Sequence, residues 1–251
     1  MNDVHDTVNV AIIGDYDPKN QRHEATINAL HHAAERLSIP IQIEWTPTDS
    51  LVKQASDKLG AFDALWCAPG SPYRSFEGAL RGIQFARVYD RPLLGTCGGF
   101  QHMVIEYARN VLGFQDAEHA EYNPEGSRLF VTRLACSPFG QTMMVKLDPE
   151  SFVYKIYRKS VIAETYYCNF GLNPAYKDLI DSRGFHVAGV DEQGEARILE
   201  LASNRFFVAT LFVPQLSSSI DKPHPLIVSF LETALISKES DLAEPRIRSR
   251  A

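Results

Sequence analysis

The sequence predicts an α/β fold with a mostly parallel sheet, and three observations support this prediction. Short β-branched or apolar runs alternate with helical patterns through the first half of the chain. A glycine-rich segment at 95–102 directly follows one of these apolar runs. Hydrophobic residues make up 45% of the 251, which is enough to fill the core of one large domain.

Strands and helices alternate along the first half. The β-branched run at 8–13 predicts the first strand, which ends at Gly14. Apolar residues at helical spacing predict the first helix over 24–37. The same criteria predict strands at 41–45, 62–67 and 92–94, and helices at 52–59, 77–89 and 104–112. Because helical crossovers join parallel strands, we expect a sheet that binds ligands at its carboxyl edge.

The second half is less regular and richer in β-structure. Strands are predicted at 128–135, 143–147, 161–167, 184–190, 196–201 and 206–212, and a last helix at 224–235. The segment 191–194 predicts a hairpin turn. We expect one domain over residues 1–237, followed by a frayed polar tail at 238–251.

Cys97 is the candidate nucleophile. It lies on a glycine-rich turn between a predicted strand and a predicted helix, a position that pushes a side chain out of the end of a sheet. The positive end of the following helix favours a thiolate, and neighbouring backbone N–H groups can hold an oxyanion. The alternative is a buried, inert cysteine in a tight turn.

Composition excludes several classes of protein. The net charge of −6 comes without a basic cluster apart from the short run at 246–250, so nucleic acid is not an expected partner. The sequence shows no signal peptide and no run of 18 apolar residues, so no membrane association is expected. Four cysteines without CxxC spacing predict reduced thiols in the cytoplasm and no structural zinc. We expect no metal and no cofactor.

The chain resembles the glutamine amidotransferase domain of CTP synthase, a class I family with a cysteine nucleophile. The resemblance covers nearly the whole chain and is carried by the segments 62–70, 81–87, 95–102, 104–113, 116–122, 187–189 and 223–226. It implies a three-layer, flavodoxin-like fold with a nucleophile elbow. The ligase domain of CTP synthase has no counterpart, since the sequence contains no GxxxxGK[ST] phosphate loop.

The resemblance also implies roles for individual residues. In this family the residue at Cys97 attacks the side-chain amide of glutamine and forms a thioester. Backbone N–H groups at Gly70 and Gly98 would form the oxyanion hole. Gln101 and Glu121 match positions that hold the α-amino end of the substrate. Each of three residues also has a purely structural explanation. Gly70 would be a turn glycine, Gln101 a residue of the first helical turn and Glu121 a solvated acid.

The departures from the family concern the base and the carboxylate clamp. The family histidine and glutamate of a Phe-His-Pro-Glu sequence are replaced by Val213 and Gln215. The stretch that supplies an arginine in the family instead contains Tyr166, Tyr167 and Asn169, which suit a less charged or more aromatic ligand. Losing a general base costs about 10²–10⁴ in rate, so glutamine is not the expected substrate.

Three histidines and a second cysteine lie near the matched positions. His119 is the candidate replacement base, and the alternative is a structural role. His102 is expected on a helix surface, and His224 is expected to be structural. Cys168 lies in the altered stretch, so a pairing of Cys97 with Cys168 is an alternative to catalysis.

Three functions remain open from the sequence. The first is a Cys97-dependent hydrolase or amidotransferase-like enzyme that acts on a small amide, acyl or nitrile substrate other than glutamine. The second is a catalytically degenerate protein that binds a metabolite or regulates a partner. The third is a glutaminase subunit completed by a separate synthetase chain. A small-molecule ligand is common to these readings, and the sequence is compatible with a homodimer without requiring one.

Overall fold

The fold is organised around one large mixed sheet. The computed structural model describes residues 7–243. The strands are β1 (Val8–Ile13), β2 (Ile41–Thr46), β3 (Ala64–Cys67), β4 (Leu93–Thr96), β5 (Ala117–His119), β6 (Arg128–Arg133), β7 (Gln141–Leu147), β8 (Val161–Tyr166), β9 (Phe170–Leu172), β10 (Phe185–Val190), β11 (Ala196–Leu201) and β12 (Phe207–Thr210).

Seven α-helices accompany these strands within the described residues. They are α1 (Gln21–Leu37), α2 (Ala55–Leu59), α3 (Phe76–Val88), α4 (Gly98–Asn110), α5 (Phe152–Tyr157), α6 (Lys177–Ser182) and α7 (Pro225–Ala243). Short 3₁₀ turns lie at Thr48–Leu51, Pro174–Tyr176 and Pro214–Ser217. No helix in this part of the chain is both long enough and apolar enough to cross a membrane.

The large sheet has the strand order β2-β1-β3-β4-β12-β11-β10-β7-β8 across residues 7–243. The five strands from β2 to β12 are parallel, and the remaining four continue the sheet in antiparallel pairs. The predicted parallel sheet is therefore confirmed for the half that carries Cys97, and the second half adds an antiparallel extension. A smaller sheet has the order β5-β6-β9.

Helices cover both faces of the sheet and make three layers. Adjacent residues of a strand point to opposite faces, which Trp66 and Cys67 of β3 illustrate. Trp66 packs edge-on against Phe230 of α7, with ring centroids 6.0 Å apart. On the other face, Gly99 of α4 lies directly against Cys67, so closely that a Cβ on Gly99 would overlap the Cys67 carbonyl oxygen. The helix that follows Cys97 is thus pressed onto the strand beside it.

The first helix, α1, begins at Gln21, directly after its N-cap residue Asn20. The Asn20 side chain accepts a hydrogen bond from the Arg22 backbone N–H at 3.1 Å, as Asn commonly does at an N-cap. This start precedes the predicted one by three residues and puts Arg22 in the first turn of α1. The β1–α1 connection lies at the carboxyl edge of the sheet, which Cys97 shares.

The last helix differs most from its predicted bounds. The expected tail from 238 onward is wrong for its first residues, because α7 continues to Ala243. The Lys238 Nζ donates to the Thr7 carbonyl oxygen at 2.6 Å and pairs with Asp63 at 3.1 Å. These bonds hold this turn of the helix against the ends of the neighbouring strands. Residues 244–251 of the expected tail lie outside the described part of the chain.

Candidate functional site

Cys97 occupies a strained turn between β4 and α4. Its backbone φ is 53° and ψ is −105°, a conformation that L-residues with a side chain rarely adopt. Its N–H donates to the Thr210 carbonyl oxygen of β12 at 2.9 Å, which fixes the turn to the neighbouring strand. Strain of this kind, held by surrounding structure, is typical of functional sites and matches the predicted nucleophile elbow.

Gly98 and Gly70 bring two backbone segments into contact beside Cys97. A Cβ on Gly98 would overlap the Gly70 carbonyl oxygen, and Gly70 itself has a φ of +108°. Among the described residues, the N–H groups of Gly70 and Gly98 donate to no acceptor. The position of Gly98 at the start of α4 explains its free N–H, since the first N–H groups of a helix have no partner within it. Both donors are thus available for an oxyanion.

His23 supports the segment that carries Gly70. Its Nδ1 accepts the Asp17 backbone N–H at 3.0 Å, so Nε2 carries the proton and donates to the Pro69 carbonyl oxygen at 3.1 Å. Burial lowers the pKa of His23, which keeps the ring neutral. This histidine has a structural task in the site rather than contact with a ligand.

A cavity of about 170 Å³ opens beside Cys97. This volume suits a small ligand, since pockets for drug-sized molecules start at about 300 Å³. Six predicted site residues line it: Gly70, Cys97, Gln101, Glu121, Tyr167 and Asn169. Cys168, which the resemblance places in the altered stretch at the same pocket, also lines it, together with four residues that the sequence did not predict there: Arg22, Ser71, Phe139 and Phe170.

Cys97 and Cys168 are joined by a disulfide. Their Cα atoms lie 5.9 Å apart, within the usual range for such a bond, and 71 residues separate them in sequence. Both residues are buried, at 6% and 2% exposure, and the surface that remains lines the cavity. The structure therefore differs from the prediction of reduced thiols for this pair and agrees with the alternative pairing of Cys97 with Cys168. Spacing alone does not indicate this pairing, which the resemblance raises because it places the stretch containing Cys168 at the same pocket.

His119 holds Gln101 in place. Its Nδ1 accepts the Glu121 backbone N–H at 3.0 Å, so its Nε2 carries the proton and donates to the Gln101 Oε1 at 3.0 Å. The Gln101 Nε2 in turn donates to the Phe170 carbonyl oxygen at 2.8 Å. Burial lowers the pKa of His119 to about 2. With both ring nitrogens bonded and the ring neutral, His119 is better suited to positioning Gln101 than to taking a proton from Cys97.

His102 is fully buried, so its expected place on a helix surface is wrong. Its Nδ1 donates to the Gly98 carbonyl oxygen at 2.7 Å, and its Nε2 accepts from the Tyr122 hydroxyl at 3.0 Å. The same hydroxyl accepts the Tyr73 backbone N–H at 2.7 Å. Burial lowers the pKa of His102 to about 4. His102 thus ties the elbow to the neighbouring loops as a neutral ring.

Val213 and Gln215, at the positions where the resemblance expects the family base and acid, do not line the cavity. Val213 is buried and its N–H donates to the Thr165 carbonyl oxygen at 3.0 Å. The Gln215 Nε2 donates to the Thr26 hydroxyl at 3.2 Å. His224 is buried, lies 3.1 Å from Glu164 and does not line the cavity, which agrees with its expected structural role.

Tyr166 and Tyr167 point in different directions, as adjacent residues of an extended segment do. Tyr166 was predicted to bind substrate, but it is buried in the core against Phe212 and does not line the cavity. The Tyr167 ring lies in the cavity wall, packed edge-on against Phe139 with centroids 5.1 Å apart. The aromatic residues that line the cavity are therefore Tyr167, Phe139 and Phe170.

Arg22 gives the cavity a cation that the sequence did not predict. Its guanidinium carbon lies 5.4 Å from the centre of the Tyr167 ring, within reach of a cation–π contact. The altered stretch at 164–173 contains no arginine, but α1 supplies one from a distant part of the sequence. The rule that loops after parallel strands meet at one edge could have found it, because Arg22 and Cys97 follow β1 and β4.

Glu121 provides the opposite charge. Its Oε2 is buried and has no hydrogen-bond partner. A ligand group that donates a hydrogen bond would complete this carboxylate, since buried polar atoms are nearly always paired. Within residues 7–243, no three histidine, cysteine, aspartate or glutamate side chains are arranged to hold a metal ion.

Comparison with known proteins adds to this geometry. The family model for glutamine amidotransferase class-I matches residues 23–233. The chain is 31% identical over 237 residues to a CTP synthase of Saccharolobus solfataricus, covering 90% of this chain and 44% of the relative. It is 32% identical over 238 residues to a CTP synthase of Sulfolobus acidocaldarius, covering 90% and 45%. The chain thus spans less than half the length of these relatives.

Two solved structures share the fold. The glutaminase domain of Trypanosoma brucei CTPS with bound acivicin superimposes with a TM-score of 0.85 at 24% identity, covering 90% of this chain and 93% of that domain. A glutamine amidotransferase of Thermotoga maritima gives a TM-score of 0.56 at 11% identity, covering 93% and 98%. With the family match and the relatives above, these findings lead to one conclusion: the chain belongs to the class I glutamine amidotransferase family, where it is similar to the glutaminase domain of CTP synthases.

Proposed function

We propose that this chain is a Cys97-dependent hydrolase or amidotransferase-like enzyme whose substrate is a small amide, acyl or nitrile compound other than glutamine. The observation that carries the proposal is the elbow. Cys97 has a positive φ at the mouth of a small cavity, and the unbonded N–H groups of Gly70 and Gly98 lie beside it.

The chemistry begins from the reduced thiol. The Cys97 thiolate attacks the carbonyl carbon, a C–S bond forms and the electron pair of the C=O bond moves to oxygen. The N–H groups of Gly70 and Gly98 stabilise that oxyanion. Collapse expels the leaving group and gives a thioester, which water hydrolyses to release the acid and restore Cys97.

The missing base bears on the leaving group. An amine must gain a proton as it leaves, and the family histidine position is occupied by Val213. The alkoxide of an activated ester or the thiolate of a thioester needs that proton far less. We therefore expect activated acyl compounds to react faster than amides, by about the 10²–10⁴ that a general base contributes.

The charges of the cavity indicate which polar groups the substrate carries. Arg22 replaces the missing carboxylate clamp from another element, the first turn of α1. The expectation of a less charged ligand thus gives way to one with an anionic group near Arg22 and a donor near Glu121. Tyr167 and Phe139 between them offer an apolar wall.

The test uses protein freshly reduced with dithiothreitol. The pH dependence of Cys97 alkylation, read by intact mass with Cys97→Ser as the control for the other thiols, should give an apparent pKa below the free-thiol value of about 8.5. A panel of esters, amides and nitriles then follows. Ammonia release from millimolar glutamine that disappears in Cys97→Ser would overturn the choice of substrate, and slow alkylation at all pH values would overturn the nucleophile.

A second candidate function follows from the length of the relatives. The CTP synthases matched here are more than twice as long as the matched region, so this chain is also a candidate glutaminase-like or regulatory subunit of a separate synthetase chain. The replaced base at Val213 and acid at Gln215 favour the regulatory form. Association with a purified synthetase domain, measured by analytical ultracentrifugation, tests this candidate; no complex at micromolar concentrations would exclude it.

A further inference from the structure

The pairing of Cys97 with Cys168 joins two halves of the site. Cys97 follows β4 in the parallel part of the sheet, whereas Cys168 lies in the loop between β8 and β9. Both line the same cavity, and both are almost completely buried. The pair is therefore accessible to small molecules in the cavity and shielded from protein thiols.

The two sulfurs have unequal surroundings. Cys97 stands at the positive end of α4 and shares its cavity with the Arg22 guanidinium, and both features favour a thiolate. Both sulfurs lie near a carbonyl oxygen, but the Cys168 Sγ is 3.0 Å from that of Leu211, whereas the Cys97 Sγ is 3.8 Å from that of Tyr167. The shorter contact favours a protonated thiol at Cys168, because a carbonyl can only accept. Leu211 directly follows β12, close to the position where the family base would stand. A second thiol thus takes a place beside the nucleophile.

The remaining cysteines do not share these features. Cys67 is buried within β3, and burial raises its pKa to about 12. Cys136 is exposed on the surface. Neither lines the cavity with Cys97. Cys136 is consequently a suitable internal reference for an ordinary surface thiol.

From this asymmetry we propose that Cys97 and Cys168 form a reversible redox couple, oxidised by a small hydroperoxide and reduced by a dithiol. The Cys97 thiolate attacks the terminal oxygen of the hydroperoxide, the O–O bond breaks, and the alcohol leaves with a proton while Cys97 becomes a sulfenic acid. The Cys168 sulfur then attacks the Cys97 sulfur. The S–S bond forms, and hydroxide leaves with the Cys168 proton as water.

The sum of these steps balances. Two thiols and one hydroperoxide give one disulfide, one alcohol and one water; with hydrogen peroxide as the probe, the products besides the disulfide are two waters. A dithiol reverses the process by exchange and is itself oxidised to a disulfide. In the oxidised state Cys97 has no thiolate, so the couple would switch off any acyl chemistry at this site.

The experiment oxidises reduced protein with one equivalent of hydrogen peroxide, blocks the remaining thiols with iodoacetamide, and counts the adducts by intact mass. We expect the wild type to lose two adducts, with a peptide map joining the Cys97 and Cys168 peptides, and dithiothreitol to restore both. We expect Cys97 to react with hydrogen peroxide at least about tenfold faster than Cys136. The thiolate is the reactive form, and at a pH below the thiol pKa, lowering that pKa by one unit raises the thiolate fraction about tenfold.

Variants identify the partner. In Cys168→Ala, Cys97 should oxidise but remain a sulfenic acid that dimedone captures, whereas Cys136→Ala should behave as the wild type. Circular dichroism checks that each variant is folded, and Cys168→Ser serves as a second variant if alanine destabilises the fold. The proposal is overturned if the wild type keeps both thiols, or if Cys97 sulfenic acid persists equally with and without Cys168.

The outcome separates the couple from the proposed function, because the readout is covalent and needs no substrate. A Cys97 that alkylates rapidly but never pairs with Cys168 would remove the couple and leave the acyl chemistry standing. If the disulfide forms reversibly but no ester, amide or nitrile reacts, the redox couple stands and the proposed acyl chemistry is removed.

Discussion

Two buried histidines, His102 and His119, have the largest effect on how the stability of this protein depends on pH, and His23, whose pKa burial also lowers, acts in the same direction. Burial lowers the pKa of His102 from 6.5 to about 4 and that of His119 to about 2. In the unfolded chain both rings recover ordinary values. Between pH 6.5 and those lowered values the unfolded chain binds more protons, so the free energy of unfolding falls as the pH falls.

The size of the effect follows from the shifts. At about pH 5 each histidine costs about 2 kcal/mol relative to pH 8, because the unfolded ring is largely protonated there and the folded ring is not. Together they should remove about 4 kcal/mol, a large share of a typical folding free energy of about 5–15 kcal/mol.

His186 acts in the opposite direction. Burial lowers its pKa, but hydrogen bonds to Asp148 and Asp181 outweigh burial and raise it. Its contribution is therefore present below pH 6.5 and is lost as the pH rises through its raised pKa; solvent exposure keeps it small.

Urea unfolding of reduced protein at several pH values between 5 and 8 measures the effect. The His102→Gln variant cannot titrate, yet its amide can donate to the Gly98 carbonyl and accept from Tyr122. We expect it to lose about 2 kcal/mol less than the wild type between about pH 8 and about pH 5. His31→Gln, at an exposed position of α1, is the matched control and should keep the wild-type slope. The reasoning is refuted if His102→Gln and the wild type show the same pH dependence.

Three further changes test other parts of the structure. Gly98→Ala should destabilise the fold by about 1–3 kcal/mol in chemical denaturation, because the new methyl overlaps the Gly70 carbonyl; a variant as stable as the wild type would mean the two segments are not in contact. Arg22→Gln should raise KM for an anionic substrate about tenfold or more with little change for a neutral analogue, and equal effects on both would remove its role as a clamp. Glu106→Ala should lower the free energy of unfolding by about 3 kcal/mol, because the wild-type Glu106 carboxylate lies 2.7 Å from the Arg87 guanidinium and its removal leaves that mostly buried charge unpaired. An unchanged denaturation midpoint would contradict this.

The sequence was sufficient for the parallel half of the fold because its signals are local. The β-branched run of β1 and the glycine-rich elbow each determine their own conformation, and both appear where they were predicted. The strands β5 and β9 were missed because each has three residues and exists only through pairing with β6. Pairing partners distant in sequence leave no periodic pattern to read.

The site shows the same division. Cys97 and the glycines could be recognised because the turn requires those residue types. Arg22 was not recognised, since it lies in no motif and reaches the cavity from a distant element, whereas Cys168 was placed there only by the resemblance. Tyr166 was misassigned because one residue of an extended segment separates the core face from the cavity face.

The bond between Cys97 and Cys168 also connects the chemistry of the site to the stability of the whole chain. It closes a loop across 71 residues, and the chain-entropy treatment of such a loop gives a stabilisation of about 4 kcal/mol over the reduced form. By linkage, the more the folded state is favoured over the unfolded one, the more readily the pair closes. A ligand that binds only the reduced native state stabilises that state, so it raises the melting temperature of reduced samples and leaves that of fully oxidised samples unchanged. The melting temperature of the protein can thus report whether Cys97 and Cys168 are oxidised or reduced, without any substrate.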